Sequence, residues 1–366
     1  MKKILILAPL SSGHVQKWLQ PIATEYEFIF FTLHDAKLPD SFSNCRVYRF
    51  PRVTGTRLDF ILSIPYLQML ILKIKPDLLY ASFLSSYGIL GSLIYTKVKR
   101  LLSVWGTDVN GKASSNLLFK YVISKLISRY CWINAPAEHI KNKLVNLGAE
   151  TNTIDVFQYG IDTTSYVIKD SYDVSKRIRF LSIRNWDELY NIDYVIYEYF
   201  TFCNKNGIES ELNIIGRGDG DRLGQLQGLI NSLDFKSGKV NILGYLNKEE
   251  LGKVYLNNDV IISVPSMDGT PLSVLESIYI GLIPIVSDID ANREWFDNKT
   301  AFFCSPNKAN SLSNALEKCA DFMLDDFILD VVENNRNKVL EKSDYFKNTR
   351  LLSEKIKSCL THVDVN

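Results

Sequence analysis

Short runs of apolar residues closed by Gly, Pro, Asp or Ser alternate along this chain with longer stretches in which apolar residues recur every three or four positions. A strand covered on both faces is apolar throughout, whereas a helix covered on one side is apolar along one stripe, so the alternation predicts parallel sheets flanked by helices. In the first half the runs place strands at 4–8, 28–32, 46–50, 77–81, 100–104, 131–134 and 154–157, with helices between them that include 116–129 and 137–147. The second half repeats the scheme, with strands at 178–183, 211–215, 239–243, 259–264, 283–287 and 301–304, and the pattern is helical from 305 to about 360. Helical spacing of Val15, Trp18 and Leu19 predicts a core-facing stripe. The expected fold class is therefore α/β, with two Rossmann-like doubly wound domains in series and a ligand in the cleft at the carboxyl ends of both sheets. Residues 163–177, polar and rich in Asp, Ser and Lys, read as the linker, which sets the domains at 1–165 and 166–344 and leaves a last helical segment at 345–366.

A chain of 366 residues is comfortable for two such domains and long for one core. The most apolar stretch, 60–72, is broken by Pro65 and is too short to cross a bilayer, which takes about 20 residues. It reads either as a core helix or as a segment lying on a surface. The apolar run after Lys2 and Lys3 is short for a secretory signal, and Pro9 to Gly13 reads as the exit from a strand. Net charge is +1, but residues 1–165 hold 19 Lys and Arg against 11 Asp and Glu, or +8, leaving 23 against 30, or −7, for the rest. A basic first half points to an anionic partner, either a lipid headgroup or a phosphate-bearing acceptor. The six cysteines are scattered without a C-x-x-C pair, which reads as buried, reduced thiols in a cytoplasmic protein.

The stretch from Ser263 to Glu276 carries the chemistry. It runs from a buried strand through a turn at Asp268-Gly269 into a helix opened by Pro271 and Leu272. Amides at a helix start, with the positive end of the dipole, form an anion site, and Pro is at home in the first turn. Asp268, in the loop just before the helix, and Glu276, about one and a half turns into it, bracket that site. Carboxylates do not bind phosphate, so beside a phosphate ligand they would read hydroxyls. The plain alternative is an ordinary helix start carrying two solvated acids.

Asp268, seven intervening residues and Glu276, with Gly269-Thr270-Pro271 before and Gly281-Leu-Ile-Pro284 after, resemble the acidic-x7-Glu signature of family 4 retaining glycosyltransferases of the GT-B fold. The resemblance implies that Glu276 binds the ribose hydroxyls of a nucleotide diphosphate sugar, that Asp268 binds the donor sugar, and that the backbone from Gly269 through Thr270 and Pro271 to Leu272 meets the diphosphate. Arg184, at the end of the strand at 178–183, matches the family's diphosphate-binding Arg. The Lys that accompanies it is replaced by Tyr190, which can donate a hydrogen bond but adds no charge. Gly216 lies in the family's strand-to-glycine turn, and Gly244, Tyr245 and Leu246 match the loop that contacts the base. For either run a plain turn glycine is an equally good account.

In the first half, Gly13 and His14 follow the first strand where the family has a glycine loop, and His14 either touches donor phosphate or acceptor or is incidental. Val104-Trp105-Gly106-Thr107-Asp108 resembles the His-Gly-Thr-Asp motif of part of the family, with Trp105 where a His near the transferred sugar is expected. An indole cannot exchange that proton. Asp108 is then either an acceptor contact or base, or the cap of a turn. No His, Cys and carboxylate spacing fits a metal, and none is needed where amides and Arg stabilise the leaving group. The expectation is an enzyme without a cofactor. It would move a sugar from a nucleotide diphosphate sugar, a UDP-sugar foremost, to a glycan or lipid-linked acceptor with retention. The setting would be bacterial surface polysaccharide or lipopolysaccharide synthesis, in the cytoplasm or at the inner face of an anionic membrane, with no nucleic-acid partner. A non-catalytic sugar-nucleotide-binding subunit and a GT-B-fold UDP-sugar epimerase stay open. In the GT-B resemblance the last segment crosses back onto the first domain. A nicotinamide dehydrogenase is disfavoured because no Gly-x-Gly-x-x-Gly follows the first strand.

Overall fold

The computed structural model describes residues 1–34, 40–110, 117–169, 171–172, 177–306, 308–325 and 327–361. The chain divides into two units, one made of Met1–Gly160 with the chain from Tyr345 onward, the other of Ile161–Asp344. The division thus falls a few residues ahead of the 165 read from the sequence.

The first unit holds a parallel sheet of β1 (Lys3–Leu7), β2 (Glu27–Thr32), β3 (Arg46–Arg49), β4 (Leu78–Ser82), β5 (Arg100–Ser103), β6 (Trp132–Ala135) and β7 (Ile154–Val156). Their order is β3-β2-β1-β4-β5-β6-β7. The second unit holds β8 (Ile178–Ile183), β9 (Ser210–Ile215), β10 (Lys239–Gly244), β11 (Val260–Ser263), β12 (Ile283–Ser287) and β13 (Phe302–Cys304), in the order β10-β9-β8-β11-β12-β13. Each sheet is doubly wound, and each reverses direction once beside its first strand. Every predicted strand is present, shifted at its ends by a residue or two. The predicted helix start at 116 lies outside the described residues. Val15, Trp18 and Leu19 are buried, as their spacing predicted.

The apolar 60–72 stretch resolves into two helices, Leu58–Leu62 and Ile64–Ile74, with Pro65 in the first turn of the second. Leu67, Leu70, Ile71 and Ile74 face the core, while Leu58, Ile61, Leu62, Met69 and Leu72 stand exposed. The helix Tyr345–Thr361 belongs to the first unit. There Leu352 and Ile356 are buried, Lys357 and Ser353 both reach Glu25, at 2.9 and 2.8 Å, and Lys355 pairs with Asp155 at 2.7 Å. Of the cysteines, Cys203, Cys304 and Cys319 are buried and unpaired, whereas Cys131 is exposed and Cys45 and Cys359 are half-buried, so burial of all six thiols was too broad a reading.

The expected linker is also corrected. Its described residues are laid onto the second unit as a strap. Lys169 donates its backbone N–H to the Ile280 carbonyl at 2.7 Å, Tyr172 donates its hydroxyl to the Gly281 carbonyl, and the Lys169 ammonium lies 2.5 Å from the Asp259 carboxylate. Lys169 is 10% exposed and Asp259 not at all. Polar composition reads as linker because polar residues are normally solvated, but here the polar groups answer one another inside.

Removing one partner of a buried pair leaves the other charge uncompensated. Lys169→Met is expected to lower stability by about 3–5 kcal/mol, seen as an earlier urea-unfolding midpoint, whereas Lys97→Met, on an exposed side chain of the first unit, should leave the midpoint in place.

Candidate functional site

The second sheet reverses between β8 and β11, and an open parallel sheet leaves a crevice at its carboxyl edge at such a reversal. Arg184 is the first residue past β8 and Ser263 the last of β11. Their side chains meet, Nε of Arg184 donating to Oγ of Ser263 at 2.8 Å. A terminal guanidinium nitrogen stands 2.9 Å from the Asp268 carboxylate, and with the two side chains only 11% and 16% exposed their attraction is weakly screened. The ring of Tyr190 lies 5.4 Å from the guanidinium carbon. Burial pushes the Tyr190 phenol up, opposed by Arg184 and reinforced by Asp268. Tyr190 therefore holds the guanidinium by its ring face and adds no charge where the family pattern has Lys.

Backbone contacts lock this group. Asn191 donates its side-chain amide to the Val264 carbonyl at 2.8 Å and to Ser266 Oγ at 3.1 Å, and the Ser266 N–H donates to the Leu189 carbonyl at 2.9 Å. Gly216 donates its N–H to the Gly244 carbonyl at 3.0 Å. A Cβ on Gly216, whose φ is +147°, would lie 2.1 Å from the Arg184 carbonyl oxygen, so only glycine lets β8 and β9 end this close together. Past β10, Tyr245 is 73% exposed with the Arg217 guanidinium 5.6 Å from its ring, while Leu246 packs partly buried against the core.

The row of amides expected from Gly269 to Leu272 is not open. Asp268 Oδ1 accepts the Gly269 N–H at 2.8 Å, and the Leu272 N–H donates back to the Thr270 carbonyl at 2.9 Å. The reason is Pro271, whose φ of −81° and ψ of 64° are those of an inverse γ-turn. Pro271 is accordingly the cap, and the helix proper is Leu272–Ile280.

Glu276, on that helix, accepts the Tyr255 hydroxyl at 3.1 Å and is also hydrogen-bonded by Tyr166. The two rings cross edge to face with centres 6.1 Å apart. Burial foremost, with the nearby Glu276 charge, pushes both phenols well above their ordinary range, so both stay protonated and donate. Neither tyrosine was predicted. Tyr166 had a signal, an aromatic in an otherwise polar segment; Tyr255 had none beyond its helical spacing.

In the first unit, His14 sits in the short helix Gly13–Leu19. Its Nδ1 is 3.2 Å from the Tyr159 hydroxyl, and its ring stacks on Trp105 with centres 5.3 Å apart. A Cβ at Gly13 would meet nothing within 4 Å, so packing does not demand glycine there. Asp108 Oδ1 accepts the Trp105 and Gly106 amides, each at 3.0 Å, and Oδ2 accepts the Leu84 amide at 2.7 Å. Burial pushes its carboxyl up, against those amides. This is the turn-holding arrangement, with both oxygens engaged by backbone, and it ties the loop after β5 to the loop after β4.

Residues 3–131 match the family described as glycosyl transferase 4-like, and residues 168–322 match glycosyl transferases group 1. No curated protein matches the chain by sequence. Among solved structures, sucrose-phosphate synthase from Thermosynechococcus elongatus superposes with a TM-score of 0.79 at 13% identity, over 99% of this chain and 100% of that one. HepE of Anabaena, solved in complex with UDP and glucose, gives 0.75 at 13% over 98% and 100%. The lipopolysaccharide outer core galactosyltransferase WaaB, in its apo form, gives 0.69 at 12% over 96% and 100%. The chain is a GT-B glycosyltransferase.

In this glycosyltransferase, Asp268 holds the Gly269 amide and the Arg184 guanidinium at once. Both are donors that suit a phosphate oxygen, so the carboxylate stands where an incoming phosphate would compete with it. Asp268→Asn removes the competing charge. The variant is expected to bind inorganic pyrophosphate about tenfold more tightly by calorimetry, and weaker pyrophosphate binding would contradict the competition.

Proposed function

We propose that this protein transfers a sugar from a UDP-sugar to a glycan or lipid-linked acceptor with retention at the anomeric carbon. The observation that carries the reading is the Arg184, Asp268 and Glu276 arrangement on the carboxyl side of the second sheet, with Glu276 fixed by two protonated tyrosines. A carboxylate held as an acceptor by two phenols keeps lone pairs for the vicinal hydroxyls of a ribose. The similar HepE fold, solved with UDP and glucose, supports the choice of nucleotide. The diphosphate displaces Asp268 from Arg184, whose charge then offsets the leaving group. The freed Asp268 turns to hydroxyls of the sugar, and the acceptor hydroxyl attacks the anomeric carbon from the face that the diphosphate leaves. Its new C–O bond forms as the bond from that carbon to the phosphate oxygen breaks, and its proton passes to the departing phosphate oxygen. Among the described residues, Arg184 is the single cation of this cluster. The similarity to WaaB supports a saccharide acceptor of a bacterial envelope.

Thermal-shift screening of UDP-, GDP- and ADP-sugars tests the donor. A ligand at 100 times its Kd stabilises by about 2.7 kcal/mol. The parent should respond to UDP compounds and Glu276→Gln should lose the response while melting at the parent temperature. Equal responses from both proteins would exclude the ribose role of Glu276, and the anomeric coupling of the product in proton NMR reads retention.

No helix among the described residues is long and apolar enough to cross a membrane. The exposed stripe of Leu58, Ile61, Leu62, Met69 and Leu72, with the exposed Arg57, Lys73 and Lys75 beside it, fits the surface of an anionic bilayer instead. Binding to phosphatidylglycerol vesicles should weaken as salt rises and fall further in Ile61→Ser/Leu72→Ser; indifference to both changes would remove the membrane reading.

A further inference from the structure

A cavity lies in the first unit. It has a volume of about 630 Å³ and is lined by Ser11, Leu33, His34, Arg49, Phe50, Pro51 and Arg52, at the carboxyl ends of β1, β2 and β3. Nothing in the donor chemistry uses it.

Its polar lining is a set of donors. Tyr87, buried beneath, accepts the Leu33 N–H at 2.9 Å and stands 2.7 Å from His34 Nδ1. Its hydroxyl is shared between His34 Nδ1 and Thr32 Oγ1, which lies 3.2 Å away. When Nδ1 accepts from Tyr87 the neutral ring carries its proton on Nε2, and that edge is then a donor. Burial, then the Arg52 charge, pushes His34 below its ordinary value, in keeping with the neutral ring. Arg52 is braced in its loop, donating to the Gly55 carbonyl at 2.6 Å with Nε 3.6 Å from the buried Asp59 carboxylate. Asp59 in turn accepts the Thr54 and Val53 amides at 2.8 and 3.2 Å, and those amides, Thr54 first, hold its carboxyl below the usual range. The Asp59 charge thus orders the loop that carries Arg52. Arg49 supplies a second guanidinium, and Ser11 a hydroxyl. Two forked cations, an imidazole N–H and a hydroxyl on one concavity match the several oxygens of a phosphate group. Leu33, Phe50 and Pro51 give it an apolar wall on which a non-polar part of the ligand can rest.

We propose that this cavity binds a phosphate-bearing group. On the glycosyltransferase reading, which this clause alone rests on, that group belongs to the acceptor. The phosphate could arrive on a soluble molecule or on a lipid headgroup, and the chemistry of recognition is the same for both.

The test uses the full chain labelled with 15N-histidine, with the His34 resonance assigned by its loss in His34→Gln. Inorganic phosphate and glycerol 3-phosphate are titrated at constant ionic strength, and in a separate arm phosphatidylcholine vesicles are compared with and without phosphatidic acid. A saturable movement of the His34 resonance with the soluble phosphates supports the proposal with a soluble ligand, and movement only with phosphatidic acid supports it with a lipid-borne one. Arg49→Gln, a change on an exposed side chain, should weaken the effect about tenfold and leave the UDP thermal shift unchanged. No movement with any probe, or movement indifferent to Arg49→Gln, overturns the proposal. A parent protein that shows the His34 movement but no UDP response would instead sink the donor reading while leaving the phosphate site standing.

Discussion

The Arg184 guanidinium is the group around which the second unit is arranged. Ser263 accepts from it, Asp268 pairs with it, the Tyr190 ring lies against it, and Gly216 lets the backbone beneath it come within contact distance. A cation this poorly solvated needs an anion near it, because the cost of leaving it unpaired in a low-dielectric site exceeds what one hydrogen bond returns. Asp268 meets that need in the structure. A diphosphate would meet it better, with more oxygens and more charge. On the proposed reading, the pair closes the site by the same forces that would suit it to a diphosphate, and exchange of one anion for the other would be the step that opens it.

The same economy explains the strap formed by residues 161–169 with Tyr172. Lys169 answers the buried Asp259, and the intervening chain carries Tyr166 to Glu276. A structural ion pair thus fixes, a few residues away, a phenol that orients a candidate ligand-binding carboxylate. Stability and site geometry share one segment here, so damage to the pair would reach the site through Tyr166 and not through any direct contact with ligand.

The strands were legible because strands buried on both faces write themselves as mainly apolar runs, and ends such as those of Ile178–Ile183 and Ile283–Ser287 fall where the runs stop. The motif placed Arg184, Asp268 and Tyr190, and these three do meet. What could not be read was the answering of polar groups by one another. Lys169 looked solvated because its partner is 90 residues on. Tyr255 looked like core because its spacing is core spacing, and only the hydroxyl at its far end distinguishes it. Pro271 was placed inside the helix because composition tells that proline favours a first turn, whereas the γ-turn that makes it the cap depends on a ψ value no residue type specifies. Asp108 kept its motif position, yet its three amide contacts depend on how the loops after β4 and β5 fold against each other.

Charge distribution gives the two halves different means of meeting an anion. Residues beyond 165 carry 23 Lys and Arg against 30 Asp and Glu, so long-range attraction does not draw a nucleotide diphosphate toward Arg184. Recognition there has to come from short contacts made in a site only 11% to 16% exposed, where Coulomb terms are strong but do not reach far. The first half, with 19 against 11, is the reverse case: Arg49 and Arg52 line a cavity there, and a net positive charge favours the approach of an anion. On the proposed reading, ionic strength should therefore act on the two ligands unequally, slowing capture at the cavity of β1 to β3 while leaving the donor site, once Asp268 has yielded, close to indifferent.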